Sequence, residues 1–168
     1  MPAAGGSPVR LALGGLCALA VAMGIGRFAL TPILPSMSAE IPLSASEAGM
    51  VASANFLGYL VGALAAMSLA GSAVRSGFRA SLIASVATTG LMAMDAALPV
   101  LALWRFLGGI ASAGVLVFSS TLVLERLARM NRTGLAALHF AGVGVGIAVS
   151  AVLVGVLVRS GAAWQGQW

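Results

Sequence analysis

Lysine is absent from this 168-residue chain, and histidine, cysteine and tyrosine occur once each. Only four residues are acidic, and charged residues of both signs make up 8% of the total. A soluble domain carries roughly 25% charged residues, so one with this composition could not cover its surface. With one histidine and one cysteine there is no set of side chains to hold a metal, and no intramolecular disulfide can form. A sequence pI near 11.5 would suit a nucleic-acid binder. That reading fails because the nine arginines fall mostly in short connections between apolar runs, where they orient a membrane protein. What is abundant is apolar: 60% of residues are hydrophobic, 22 are glycine, and the mean hydropathy is +1.06. The solvent for such a surface is lipid.

Five stretches have the roughly 20 apolar residues that a helix needs to cross a bilayer core. They run over about 11–34, 48–70, 80–98, 101–124 and 134–158, and together they predict an all-α membrane protein of a single transmembrane domain over 1–168. Arg10 followed by an apolar run ending in Ala18-Leu19-Ala20 has the look of a signal peptide, but the run continues and reads as a retained first span. Cys17 follows Leu16 where a lipoprotein signal needs a small residue, so it reads as a buried structural thiol. Pro32 and Pro35 are expected to end the first span, Ser46 to cap the second helix, Gly71 through Arg79 to turn the chain, and Pro99 to separate the third span from the fourth.

Arginine placement gives the direction. With the amino terminus cytoplasmic, the inner segments hold Arg10, Arg75, Arg79, Arg126, Arg129 and Arg132, against Arg159 outside. This asymmetry predicts that the amino terminus lies inside and the carboxyl end outside, with an outer interfacial belt at Trp164, Gln165, Gln167 and Trp168. Small residues recur every four positions at Gly14, Ala18, Ala22 and Gly26, at Ala54, Gly58, Gly62 and Ala66, and at Gly142, Gly146 and Ser150. Such stripes let helices approach closely.

Arg27 and Arg105 lie inside spans, where each costs roughly 2.5–3.5 kcal/mol near the centre. Counting from span centres at about 1.5 Å per residue, both sit about 10 Å outside the midplane, so Gly26-Arg27-Phe28 and Trp104-Arg105-Phe106 share one depth. Three readings stay open: snorkelling to headgroups, bracing the bundle through carbonyls or Asp95, and lining a cavity that meets an anionic substrate. On the bracing or cavity readings an apolar replacement of Arg105 relieves a desolvated charge. Asn55 and Tyr59 share a face of the second span, in an interhelical hydrogen bond or in the same cavity. His139, in the inner third of the fifth span, reads as a packed group or a proton carrier. An intramembrane enzyme is disfavoured: Asp95 and His139 stand nearly 20 Å apart along the normal, too far for a Ser-His-Asp arrangement. Neither a cofactor nor a catalytic residue is indicated.

Trp104-Arg105-Phe-Leu-Gly108-Gly109 resembles the fourth-helix signature of the major facilitator superfamily. Gly71 through Arg79 resembles its inner-loop signature, with Arg75 near the place of the usual acid, and Gly142-Val-Gly144-Val-Gly146 is similar to its glycine-rich fifth helix. Gly24-Ile-Gly26-Arg27-Phe28 with Pro32 and Pro35, then Ala54-Asn55-Phe56-Leu57-Gly58-Tyr59, and later His139-Phe140-Ala141-Gly142, are similar to the YbfB/YjiJ-type branch of bacterial permeases. The resemblance implies a secondary transporter of two six-helix halves with a small-molecule site between them near the midplane, open to an anionic substrate. The five spans then correspond to an amino-terminal half whose sixth helix is missing, completed by a carboxyl-terminal half or a second copy. Arg27, Arg105, Asn55, Tyr59 and His139 are the candidate cavity residues. The alternative is a non-transporting scaffold or inactive remnant.

Overall fold

The computed structural model describes residues 7–94 and 97–168, so Asp95, named above as a partner for the arginines, lies outside the described residues. These residues form helices and no strand. α1 (Pro8–Leu19) runs into a π-helical segment (Ala20–Ile25) and, after a turn, α2 (Leu30–Glu40). Then come α3 (Ala45–Ala66), α4 (Ser72–Leu91), α5 (Leu98–Arg129) and α6 (Ala136–Arg159). Since α1 through α2 forms one broken rod, the bundle has five rods. Four of them, Pro8–Glu40, Ala45–Ala66, Leu98–Arg129 and Thr133–Arg159, are long and apolar enough to span a membrane.

The rods start and stop differently from the expectation at several places. Pro32 and Pro35 do not end the first rod, which continues to Glu40. The break lies upstream, and Pro32 falls in the first turn of α2, where a backbone N–H would have no partner anyway. Residues 72–79 are helix, not turn, so α4 begins eight residues earlier than the apolar run and ends at Leu91. Two arginines and several hydroxyls keep α4 below the hydropathy of a span. Within it Thr88 and Thr89 donate to the carbonyls of Ala84 and Ser85, which satisfies those hydroxyls inside the helix. Ser44, not Ser46, caps α3: its hydroxyl accepts the Glu47 N–H at 3.2 Å while the Glu47 carboxylate accepts the Ser44 N–H at 2.8 Å. Pro99 sits in the first turn of α5.

Small residues set the spacing between rods. A methyl group at Gly62 would stand 2.6 Å from the Ile110 Cα, and one at Gly24 would collide with the Gly146 Cα and stand 2.8 Å from the Ile147 nitrogen. These backbones touch because no side chain separates them. Of the expected stripe in the first rod, Ala18 and Ala22 are buried and Gly26 packs closely against Ser85 and Thr89, but its first member departs. Gly14 faces open space, whereas Gly15 packs on His139 and the Leu16 carbonyl lies over Gly142. Cys17 is likewise exposed, not buried.

One apolar cluster holds Ile33, Met37, Met92, Leu101 and Trp164 together at one end. Trp164 is 1% exposed, and its backbone N–H donates to the Glu40 carboxylate at 3.0 Å. The aromatic end of the chain therefore folds inward against α2 and does not form an outward belt.

Candidate functional site

The π-helical segment creates the site. Gly26 N–H closes on Val21 O at 2.8 Å, five residues back, and the wide turn shifts the ladder that follows. Thr31 N–H then bonds Phe28 O rather than Arg27 O. The Arg27 carbonyl is left pointing into the bundle, and a buried carbonyl without a donor is costly.

Arg105 supplies donors. It stands on α5, 5% exposed, and its guanidinium donates to Gly26 O at 3.0 Å and Arg27 O at 2.7 Å. The planar fork suits two carbonyls on adjacent residues. Asn55 on α3, 2% exposed, donates to the Arg105 carbonyl at 2.9 Å. Its approach depends on Gly109, where a methyl would collide with the Asn55 carbonyl and lie 2.8 Å from Tyr59 N. A chain of hydrogen bonds thus links α3, α5 and the broken first rod.

The Arg27 side chain is held differently. Its guanidinium lies 4.0 Å from the Tyr59 ring centroid, 4.9 Å from that of Phe56 and 5.6 Å from that of Phe28. All three are cation–π distances. Arg27 is half-buried and Phe56 is 60% exposed, so this aromatic box opens on one side. Its Nε is buried without a hydrogen-bond partner among the described residues. A guanidinium so placed can take a carboxylate, sulfonate or phosphate through paired N–H groups, while the rings contact an apolar part of the same molecule.

Four of the five sequence candidates, Arg27, Arg105, Asn55 and Tyr59, therefore converge. His139 stands apart, beside Gly15, roughly 18 Å down the first rod from Arg27 by helical rise. It is fully buried, its Nε2 lies 3.5 Å from Ser120 Oγ, and its Nδ1 has no partner among the described residues. Phe56 and Phe28 are walls of the box that sequence reasoning missed. The spacing of Phe56 and Tyr59, three apart on one helix, was the available signal. Among the described residues no group of three His, Cys, Asp or Glu could hold a metal ion.

Residues 19–168 match the family described as "Uncharacterised MFS-type transporter YbfB". The chain belongs to that family. It is a multi-pass membrane protein of the major facilitator superfamily with a general role in transport. The match begins at Leu19 and takes in both the π-helical break and the Arg27 box. No curated protein and no solved structure shows a significant match.

Proposed function

We propose that this chain forms one side of a secondary transporter that moves a small organic anion across the bacterial inner membrane by alternating access. The observation that carries the reading is the Arg27 guanidinium, boxed by Tyr59, Phe56 and Phe28 and open on one side. An arginine at membrane depth is too costly to face lipid unpaired, so a half-buried one whose Nε lacks a partner among the described residues supports a substrate path. The opposing side of the site comes from a second bundle, supplied by a carboxyl-terminal half or by another copy. Transport of this kind makes and breaks no covalent bond, and no residue is assigned a catalytic role.

Anion binding tests this. The purified chain, incubated with a panel of small aliphatic and aromatic carboxylates and sulfonates, is expected to gain thermal stability with at least one of them. Arg27→Gln should abolish that gain. Arg27→Lys should lose most of it, since an ammonium lacks the paired planar donors. No stabilisation by any anion, or equal stabilisation of Arg27→Gln, would falsify the assignment.

The proposed orientation has its own test. Phosphatase or fluorescent-protein fusions after Ala70, Ala97 and Trp168 should report cytoplasm, periplasm and periplasm, following the six-to-one arginine asymmetry. A cytoplasmic signal after Trp168 would rule the orientation out.

A further inference from the structure

The end of the bundle opposite Trp164 carries a second charged site, unrelated to Arg27. Three rods meet there: the start of α1, the start of α4 and the last turn of α5. Between them lies a cleft of about 740 Å³, lined by Arg10, Arg75, Arg79, Arg126 and Arg129. One carboxylate, Glu125, faces these five arginines and pairs with Arg129 at 3.2 Å. Among the described residues the other four arginines have no ion-pair partner. Charge of one sign gathered in a concavity focuses the field and attracts a counter-ion.

Two further features narrow the counter-ion. Gly71 lines the cleft at the N-cap of α4, a 20-residue helix with no side-chain cap, so the amino-terminal end of that helix stands beside the arginines. Arginine forks and helix amino termini both favour phosphate. Next to the cleft runs an apolar groove of about 400 Å³ between α3, α4 and α5, walled by Val74, Val117, Phe118 and Leu122. The two cavities share Gly71, Leu122 and Glu125. A polar anion site that borders an apolar groove at the end of a membrane bundle has the two-part chemistry of a lipid.

We infer that this cleft binds an anionic phospholipid, its phosphate among the arginines and an acyl chain in the adjoining groove. The phosphate offsets the mutual repulsion of the arginines, and the acyl chain fills the groove beside Phe118. A soluble phosphate compound would satisfy the cleft but leave the groove empty.

The test uses the full chain in a non-ionic detergent, titrated with phosphatidylglycerol, phosphatidylcholine or inorganic phosphate. Native mass spectrometry reads the retained ligand and circular dichroism the unfolding temperature. Phosphatidylglycerol is expected to remain bound and raise the unfolding temperature, and phosphatidylcholine to do neither. Each basic residue near an anionic headgroup contributes enough that losing two should weaken binding roughly thirtyfold. Arg75→Gln with Arg79→Gln should show that loss. Arg10→Gln with Arg126→Gln, drawn from the other two rods, should show it too and serves if the first pair fails to fold. Arg159→Gln, at the far end of α6, should bind like the parent. Ala70→Phe, which narrows the groove, should weaken phosphatidylglycerol and leave inorganic phosphate unaffected. Equal retention of phosphatidylcholine, or parent-like binding by both folded arginine pairs, would overturn the inference. So would protection by inorganic phosphate equal to that by the lipid, which assigns the cleft to a soluble phosphate.

Discussion

Arg105→Ala is expected to destabilise the bundle by about 3 kcal/mol, a shift of roughly two powers of ten in the unfolding equilibrium. The sign is not obvious. Removing a buried guanidinium recovers its desolvation cost, and an apolar side chain at that depth is cheaper in isolation. The Gly26 and Arg27 carbonyls reverse the balance. They lie at the exit of the π-helical segment, and Arg105 donates to both. Without it two buried acceptors lose a charge-assisted donor, each worth about 1.5–3 kcal/mol, and the lipid-bounded interior offers no water in exchange. Arg105→Lys should recover less than half of the loss, since a point charge cannot bridge two carbonyls as a planar fork does. Arg159→Ala, beyond the apolar part of α6, is the control and should change nothing measurable. Chemical unfolding of the detergent-solubilised chain, followed by circular dichroism, measures all three. An Arg105→Ala chain as stable as the parent would mean that the carbonyls find other donors.

Gly109→Ala should have an effect of similar size through steric exclusion. A methyl at Gly109 has no room, because it overlaps the Asn55 carbonyl and sits 2.8 Å from Tyr59 N. Overpacking of this kind usually costs about 1–3 kcal/mol. Here the obstructing atoms are backbone, which cannot rotate away, so the upper end is expected. The displacement should also pull Asn55 from the Arg105 carbonyl and Tyr59 from Arg27, so anion binding at the box is lost together with stability. Gly14→Ala and Gly144→Ala give the contrast. Neither position has an atom within 4 Å of the added methyl, and alanine is the better helix former by about 1 kcal/mol. Both should be neutral or mildly stabilising. If thermal unfolding ranks Gly109→Ala with these two, α3 and α5 are not in backbone contact.

The helical character and the number of rods could be read from the sequence because apolar runs near 20 residues have few other uses. The fine structure was hidden for identifiable reasons. Leu11 through Gly26 is apolar throughout, and hydropathy carries no sign of which carbonyl meets which N–H, so the π-helical segment at Ala20–Ile25 left no trace. Ser72 through Arg79 reads as a connection because two serines and two arginines interrupt it, yet polar side chains at the end of a bundle do not prevent helix formation. Arg27 and Arg105 could be placed at one depth by counting residues, but not their division of labour. One guanidinium braces backbone and the other faces aromatic rings, and that depends on rotations about two helix axes. Phe56 escaped notice because an exposed aromatic on a membrane helix ordinarily faces lipid. Trp164 was misread for the converse reason: tryptophan near a span end ordinarily lies at the interface, whereas here it is 1% exposed.

The inward fold of Trp164 has a spectroscopic consequence. The chain has three tryptophans, and Trp104 and Trp168 pack against the same cluster that encloses Trp164. Intrinsic emission therefore comes from one pole of the molecule. During unfolding it will follow the release of α2 and the carboxyl-terminal segment from each other, while ellipticity at 222 nm follows all five rods. A gap between the two transitions would time the undocking of that pole separately from the melting of the helices. The fluorophores are silent toward the arginine cleft at the other end.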